Sequence, residues 1–169
     1  MAVSPISPGS TIGILGGGQL GRMLAIAATE MGYHVHLFCP EVDAPAREIV
    51  KHATIASYED RDALIRFARS VDVATYEFEN IPALAVKDVA RHVPVRPGME
   101  ILSVSQHRVL EKQAVNRLGV KTAPFVAVHS QKDLEAAIKE IGLPAVLKTC
   151  RMGYDGKGQW MLRDLKDAP

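Results

Sequence analysis

The feature that most constrains the fold is an apolar run followed at once by a glycine-rich turn. Residues 11–15, TIGIL, are predicted to form a buried strand, and the next six residues, GGGQLG, are typical of a turn that leads into a helix. Further predicted strands at 33–38, 53–57 and 71–76 alternate with predicted helices. This alternation predicts an α/β fold, a parallel sheet with helices on both faces that binds ligands at the carboxyl ends of its strands.

A boundary is predicted at residues 93–98, VPVRPG, where two prolines and a glycine interrupt the pattern. We expect one domain over 1–105 and a second unit over 106–169, in which Ser130 with Asp133 predicts a helix N-terminus. The elements predicted for the second unit are helices at 107–119 and 131–141 and strands at 124–128, 145–148 and 159–163.

The overall charge and composition exclude several classes of protein. Lysine and arginine number 20 against 19 acidic residues, so the strongly basic surface of nucleic-acid-binding proteins is missing. Cys39 and Cys150 are far apart and match neither a zinc site nor a disulfide scaffold. The first residues do not have the pattern of a secretory signal, and no apolar run approaches the ~20 residues that span a bilayer. We therefore expect a cytoplasmic protein that binds neither nucleic acid nor membrane.

The glycine-rich turn satisfies the pattern G-x-G-x-x-G with Gly16, Gly18 and Gly21. One hypothesis is a dinucleotide site, although Glu41 is a poor match to the acidic residue that such a site requires. A P-loop is rejected because Arg22 and Met23 stand where lysine and a hydroxyl residue are needed. The alternative is a tight turn that binds no ligand, against which the polar side chain of Gln19 favours a ligand.

Two carboxylates follow the predicted strand at 71–76, in the segment YEFENIP. Glu77 and Glu79 would project to one side of an extended segment and could accept hydrogen bonds from ribose hydroxyls or an amine. Alternatively, Asn80 caps the next helix and the acidic residues favour its positive end. The alternatives stay open for Glu77, whereas the capping interpretation is favoured for Glu79.

Lys148 ends an apolar run, LPAVL, that resembles a buried strand, and lysine is seldom buried without a partner. The glycine-rich segment CRMGYDGKGQW, residues 150–160, follows it directly. A fixed positive charge beside a loop with exposed N–H groups suits a polyphosphate, whereas the alternative is an edge strand with an ordinary glycine loop. Arg108 and Lys112, one helical turn apart, fit a solvated polar face unless an anion lies between them.

Taken together, the segments GGGQLGRM, YEFENIP, HRVLEKQ and GYDGKGQW resemble the N5-carboxyaminoimidazole ribonucleotide synthetase family of ATP-grasp enzymes. The resemblance extends over residues 11–163. It implies a Rossmann-like pre-ATP-grasp domain at 1–105, followed at 106–169 by the incomplete start of an ATP-grasp domain. Members of the family are also described as the ATPase subunit of phosphoribosylaminoimidazole carboxylase, a name that places them among lyases as well as ligases.

The resemblance also implies a reaction in purine biosynthesis. The family uses ATP to activate bicarbonate as carboxyphosphate and then carboxylates the exocyclic amine of 5-aminoimidazole ribonucleotide. Arg108, Lys148 and the loop from Gly153 to Gln159 would bind ATP; the loop residues are Gly153, Tyr154, Asp155, Gly156, Lys157, Gly158 and Gln159. The substrate ribonucleotide would face Gln19, Leu20 and Glu77, with Tyr154 and Asp155 near its phosphate or the transfer region. The loop is expected to open for nucleotide and to close over a hydrolysable intermediate.

The family's members are considerably longer than this chain. We therefore expect an N-terminal piece that is inactive alone and carries no assignable catalytic residue or metal ligand, the acidic Mg²⁺ ligands lying further along. The resemblance implies a homodimer at full length and N5-carboxyaminoimidazole ribonucleotide mutase as the pathway partner. The alternatives are another ATP-grasp ligase, of the formate-dependent glycinamide ribonucleotide transformylase or biotin carboxylase type, a nicotinamide-binding regulatory domain, and a non-catalytic assembly module.

Overall fold

The computed structural model describes residues 5–153 and 155–169. The chain forms two compact units, the first ending at Ser103 and the second beginning at Val104. None of the helices within the described ranges is long and apolar enough to cross a membrane.

The first unit is a parallel sheet with helices on both faces, as predicted. Its four strands lie in the order β3-β2-β1-β4, and every neighbouring pair is parallel. A single parallel bridge from Ala74 to Val95 continues the sheet beyond β4. The elements are β1 (Thr11–Leu15), α1 (Gln19–Glu30), β2 (His34–Cys39), a 3-10 helix (Pro45–Glu48), β3 (His52–Ile55), α2 (Arg61–Ala68), β4 (Val73–Tyr76), α3 (Ala83–Val89) and α4 (Met99–Ser105), the last of which continues past the division between the units.

Alternation of side chains along the strands separates two apolar cores. On one face Leu15 and Phe38 pack with apolar residues of α2 and α3, including Phe67 and Val86. On the other face Ile14 and Leu37 pack with residues of α1 such as Ala25. Because both faces are covered, β1 and β2 can be apolar along most of their length.

The strand order places two chain segments next to each other at the carboxyl edge of the sheet. β1 lies between β2 and β4, so the connections that leave β1 and β4 begin side by side. This is the position at which strand order reverses and at which α/β sheets bind ligands. The glycine-rich turn of residues 16–21, called the glycine turn below, follows β1 at this edge, and Glu77 follows β4.

The second unit contains two helices and a two-stranded antiparallel sheet. Its elements are α5 (Arg108–Arg117), α6 (Gln131–Ile141), β5 (Ala145–Lys148), β6 (Gln159–Leu162) and a 3-10 helix (Leu165–Asp167). The register pairs Ala145 with Leu162 and Lys148 with Gln159. The loop between these strands is the glycine-rich segment.

The predicted strand at 124–128 is wrong, because residues 120–129 have no regular secondary structure. In the part of the chain that the structure describes, β5 and β6 pair only with each other. An apolar, β-prone segment forms a strand only when a neighbouring strand accepts its backbone hydrogen bonds. The side chains of 125–128 instead line a cavity.

Candidate functional site

The glycine turn of the first unit is closed by the side chain of Glu77. Its Oε1 accepts a hydrogen bond from the Gly18 N–H at 2.8 Å, and its Oε2 accepts one from the Gly21 N–H at 2.6 Å. The backbone N–H of Glu77 also donates to the Leu15 carbonyl at 3.0 Å. The end of β4 is therefore tied to the start of α1 through both the backbone and the side chain.

Three predicted substrate-binding residues thus lie in one place. Gln19 and Leu20 are the first two residues of α1 and are exposed, and Glu77 is half-buried beside the same turn. The arrangement presents a polar amide, an apolar side chain and a carboxylate at the ligand-binding edge of the sheet. The structure brings these three residues together, while their role toward a substrate stays a prediction.

The capping alternative for the YEFENIP segment is not what the structure shows. The N-cap of α3 is Pro82, and no side chain caps this helix, so Asn80 is not the cap. Glu79 is exposed. Asn80 lies two residues before this N-cap, and its side chain accepts no hydrogen bond from the first turn of α3.

Burial also suppresses ionisation next to the glycine turn. Cys39, at the end of β2, has its pKa raised to about 11, first by burial and then by the charge of Glu41. Burial likewise raises the pKa of the Tyr58 phenol, to which the charges of Glu41 and Glu77 add. Cys39 is therefore a neutral thiol at physiological pH and is unsuited to nucleophilic chemistry.

In the second unit, Arg108 is docked against the start of the glycine-rich loop. Its backbone N–H donates to the Cys150 carbonyl at 2.9 Å, and its guanidinium Nε donates to the Thr149 carbonyl at 3.4 Å. A Cβ at Gly153 would lie 3.5 Å from Arg108 Nη2. The cation predicted to bind phosphate is therefore held beside the loop predicted to bind phosphate.

Thr149 lies inside the base of the loop and was missed by sequence reasoning. Its N–H donates to the Gly158 carbonyl at 2.8 Å, which closes the loop. A Cβ at Gly158 would lie 2.5 Å from Thr149 Oγ1, and one at Gly153 would lie 3.0 Å from the same atom. The only signal for it in the sequence is its position between Lys148 and the glycines of the loop.

The expectation that Lys148 ends a buried strand is wrong. Burial alternates along β5, with Ala145 and Leu147 half-buried and Val146 and Lys148 exposed. One face of the strand, the face that carries Lys148, is therefore exposed. Lys148 nevertheless lines, together with Arg108, a cavity of about 600 Å³ whose remaining wall is mostly apolar.

Lys112, the second cation of α5, has a structural partner. Its ammonium group donates to the Ala123 carbonyl at 3.1 Å and lies 5.1 Å from the centre of the Phe125 ring. A cation above an aromatic face is stabilised by the ring quadrupole. Lys112 therefore holds the segment after α5 rather than standing on a freely solvated face.

The described residues of the loop form a tight turn at 155–158. Asp155, Gly156 and Gly158 have positive φ angles of 45°, 81° and 66°. Asp155, Gly156, Lys157 and Gln159 are exposed and Gly158 is half-buried. Tyr154, predicted to contact both ATP and the substrate, lies outside the described residues.

A magnesium site is implied by the family that the motifs resemble. Across 5–153 and 155–169 there is no group of three histidine, cysteine, aspartate or glutamate side chains that could hold a metal ion. The donor sets that magnesium prefers are oxygen-rich and carboxylate-based, and these residues do not supply one. We assign no magnesium ligand to them.

Comparison with known proteins matches two family models in succession. Residues 9–106 match the ribonucleotide synthetase preATP-grasp domain, and residues 113–169 match the ATP-grasp domain. The N5-carboxyaminoimidazole ribonucleotide synthase of Bacillus subtilis is 43% identical over 164 residues, which are 97% of this chain and 43% of the relative.

Two solved structures extend the likeness. The N5-carboxyaminoimidazole synthetase of Staphylococcus aureus complexed with ADP superposes with a TM-score of 0.90 at 40% identity, over 96% of this chain and 43% of that one. An N5-carboxyaminoimidazole synthase from Aspergillus clavatus, in complex with ADP and 5-aminoimidazole ribonucleotide, superposes with a TM-score of 0.82 at 26% identity, over 95% and 42%.

The chain thus spans less than half the length of these relatives. The match covers both segments that carry the motifs, so the resemblance to N5-carboxyaminoimidazole ribonucleotide synthetases is confirmed. The chain belongs to the ribonucleotide synthetase preATP-grasp domain family, joined in the second unit to sequence of the ATP-grasp domain family.

Proposed function

We propose that the chain carries the ribonucleotide site and part of the ATP site of an enzyme that carboxylates 5-aminoimidazole ribonucleotide. The observation that carries the proposal is the docking of Arg108 against the base of the glycine-rich loop, with Lys148 on the same cavity. Two cations beside a loop with N–H groups form an environment that stabilises phosphate charge. The relatives that were solved in complex with ADP support an adenine nucleotide as a ligand.

In the proposed reaction a bicarbonate oxygen attacks the γ-phosphorus of ATP. The bond from that phosphorus to the ADP oxygen breaks, and carboxyphosphate and ADP result. The exocyclic amine of the ribonucleotide then attacks the carboxyl carbon, phosphate leaves with the bond electrons, and the nitrogen loses a proton. Arg108 and Lys148 would balance the charge on the phosphates, and the loop of Gly153–Gln159 would exclude water from carboxyphosphate.

The ribonucleotide is proposed to bind at the carboxyl edge of the parallel sheet. Gln19 would donate from its amide, Leu20 would cover an apolar face, and the free lone pairs of the Glu77 carboxylate would accept from a hydroxyl or an amine. The Aspergillus clavatus structure with 5-aminoimidazole ribonucleotide supports this class of ligand. Asp155 is proposed to approach the phosphate or the transfer region from the loop.

The remaining elements of the proposal follow from the family. They are bicarbonate as cosubstrate, Mg²⁺ as the ion that accompanies ATP, assembly as a homodimer, a cytoplasmic location, and N5-carboxyaminoimidazole ribonucleotide mutase as the enzyme that takes up the product. We also propose that the two compact units are two domains, with the boundary at 105/106.

Calorimetric titration of the chain with ATP, NAD, 5-aminoimidazole ribonucleotide and glycinamide ribonucleotide tests the proposal. We expect saturable binding of ATP and of 5-aminoimidazole ribonucleotide only. Loss of a charge-assisted phosphate contact in Arg108→Ala or Lys148→Ala should weaken ATP binding about tenfold or more.

The matched control is Lys139→Ala, which removes an exposed lysine on α6 and should leave the ATP affinity unchanged. Binding of NAD in preference to ATP would support the regulatory-domain alternative instead. Preference for glycinamide ribonucleotide would support the transformylase type.

A further inference from the structure

The N-terminus of α1 has no local group to satisfy it. Helix N-termini present free N–H groups and a positive dipole end, which attract anions. The N-cap here is Gly18, which makes no side-chain cap, and the first turn of α1 contains no acidic residue. The sequence motif at this turn is the one that holds a pyrophosphate in dinucleotide-binding proteins.

Glu77 supplies the missing anion from the end of β4. It accepts from the N–H of Gly18, the N-cap, and from the N–H of Gly21, the third residue of the helix. The third residue is among those whose N–H a serine or aspartate N-cap normally binds. We propose that Glu77 is the resident anion of the glycine turn, a positioning residue that occupies the place of a phosphate and holds Gln19 and Leu20 in register with β4.

The shape of the turn fits this internal carboxylate. A Cβ at Gly16 would lie 2.6 Å from Glu77 Oε1, one at Gly18 would lie 3.0 Å from the same atom, and one at Gly21 would lie 2.8 Å from Oε2. All three glycines of the motif therefore lie against the Glu77 side chain. Gly16 has in addition a φ of 107°, which favours glycine on its own account.

This arrangement excludes a dinucleotide phosphate from the turn. A phosphate would compete with the carboxylate for the same two N–H groups and would stand next to its negative charge. The inference concerns the glycine turn alone and holds independently of the ATP site in the second unit. It also explains why the dinucleotide motif is present although the matching acidic residue is poorly placed.

Glu77→Ala tests the inference, because it uncovers two N–H groups and leaves a space that a small anion can fill. Thermal unfolding is followed in sodium formate, in inorganic phosphate, and in sodium chloride at matched ionic strength. We expect the variant to unfold at a lower temperature than wild type. Formate or phosphate should raise its unfolding temperature more than chloride does, while wild type should show no such difference.

Backbone NMR distinguishes the proposed anion-like role of Glu77 from a purely structural role. In Glu77→Ala, the amide resonances of Gly18 and Gly21 should shift saturably with formate, and in wild type they should not. Glu77→Gln keeps one oxygen acceptor of the same shape and should show intermediate stability with little response to formate. Glu79→Ala, which removes an exposed carboxylate two residues away, is the matched control and should behave as wild type.

Two results would overturn the inference. One is a saturable shift of the Gly18 and Gly21 amides of wild type with NAD or inorganic phosphate. The other is a folded Glu77→Ala variant that gains no more stability from formate or phosphate than from chloride. If Glu77→Ala does not fold, the wild-type titration and the Glu77→Gln comparison still decide the question. Failure of ATP to bind at the second unit would leave these measurements unaffected.

Discussion

His36 is a residue whose protonation is coupled to folding. It lies half-buried on β2, with Nδ1 at 2.8 Å from Ser70 Oγ and Nε2 at 2.9 Å from Thr54 Oγ1. Because the Ser70 hydroxyl donates to the Phe67 carbonyl, Nδ1 is the donor to Ser70 and Nε2 accepts from Thr54. Burial, and then the neighbouring His52, lower the pKa of His36 from 6.5.

This lowered pKa makes the stability of the first unit depend on pH. The unfolded chain protonates His36 near pH 6.5, whereas the folded chain does so only at lower pH, so the unfolded state binds more protons in between. The stability that His36 contributes is fully present above pH 6.5, the pKa of the unfolded chain, and it is lost as the pH falls toward the pKa of the folded chain.

Urea unfolding at a series of pH values tests this dependence. We expect wild type to lose stability as the pH falls below 6.5, and we expect His36→Gln to lack this loss. His34→Gln, on the same strand but exposed, should retain it; equal pH dependence in all three proteins would contradict the prediction.

Phe67 anchors the core between the sheet and α2. It is 1% exposed, and its ring packs edge-on against Phe38 with centroids 5.4 Å apart. Phe67→Ala should lower the free energy of unfolding by about 3–5 kcal/mol, through lost burial and the cavity that remains. Phe78→Ala removes the same side chain from a site that is 36% exposed and should cost considerably less. Denaturant unfolding of the two variants measures the difference, and equal losses would contradict this account of the core.

At the scale of an element, the loop between β5 and β6 depends on one close approach. Gly158 accepts the hydrogen bond from Thr149 N–H, has a positive φ, and leaves no room for a Cβ beside Thr149 Oγ1. We expect Gly158→Ala to open the loop base and to remove the hydrogen-exchange protection of the Thr149 amide. Because the loop is proposed to cover nucleotide, ATP affinity should fall in the same variant.

Two further variants separate the steric clash from the backbone strain. Gly156→Ala also places alanine at a positive φ, but its Cβ would find its nearest neighbour at 3.6 Å, so it should disturb the Thr149 amide less. Thr149→Ala combined with Gly158→Ala removes the clashing hydroxyl and should restore part of the protection. If Gly156→Ala and Gly158→Ala reduce the protection of the Thr149 amide equally, backbone strain alone explains the loss, and the close packing against Thr149 does not contribute.

At the scale of the whole molecule, the two units differ in how much apolar surface they bury. Among the described residues, the buried apolar side chains of the second unit are only Leu134, Ala137 and Leu162, whereas the first unit holds two continuous cores. Apolar burial is the main favourable term in folding, so the second unit should open more readily.

Limited trypsin digestion tests this difference in stability. We expect the first cleavages after lysine or arginine residues beyond Val104, with a fragment that retains β1 to β4 persisting longer. Mass spectrometry of the early products identifies the cleaved bonds. Earliest cleavage after Arg66, within α2, would contradict this prediction.

Some features could be predicted from short stretches of sequence because the interactions behind them are local. The helix predicted at 131–141 is confirmed, with Ser130 Oγ accepting from the Asp133 N–H as an N-cap. Gly32 ends α1 in the way that glycine commonly ends a helix, with a φ of 84° and with hydrogen bonds from the Gly32 and Tyr33 N–H groups to the last turn. The strand at 11–15 and its place in a parallel sheet are confirmed as well.

Burial and long-range partners needed the tertiary structure. The apolar residues of the helix predicted at 107–119 follow a helical period, yet Leu110 is 42% and Leu118 is 82% exposed. Periodicity shows which residues share a face and not whether anything packs on that face. Lys148 is exposed for a similar reason, since its strand has one open face. The contact between Glu77 and the glycine turn joins residues 59 apart and exists only because β4 lies beside β1. Backbone hydrogen bonds between near neighbours make helices and turns predictable from sequence. Strand order, which only the tertiary structure shows, decides which side chains meet at the site.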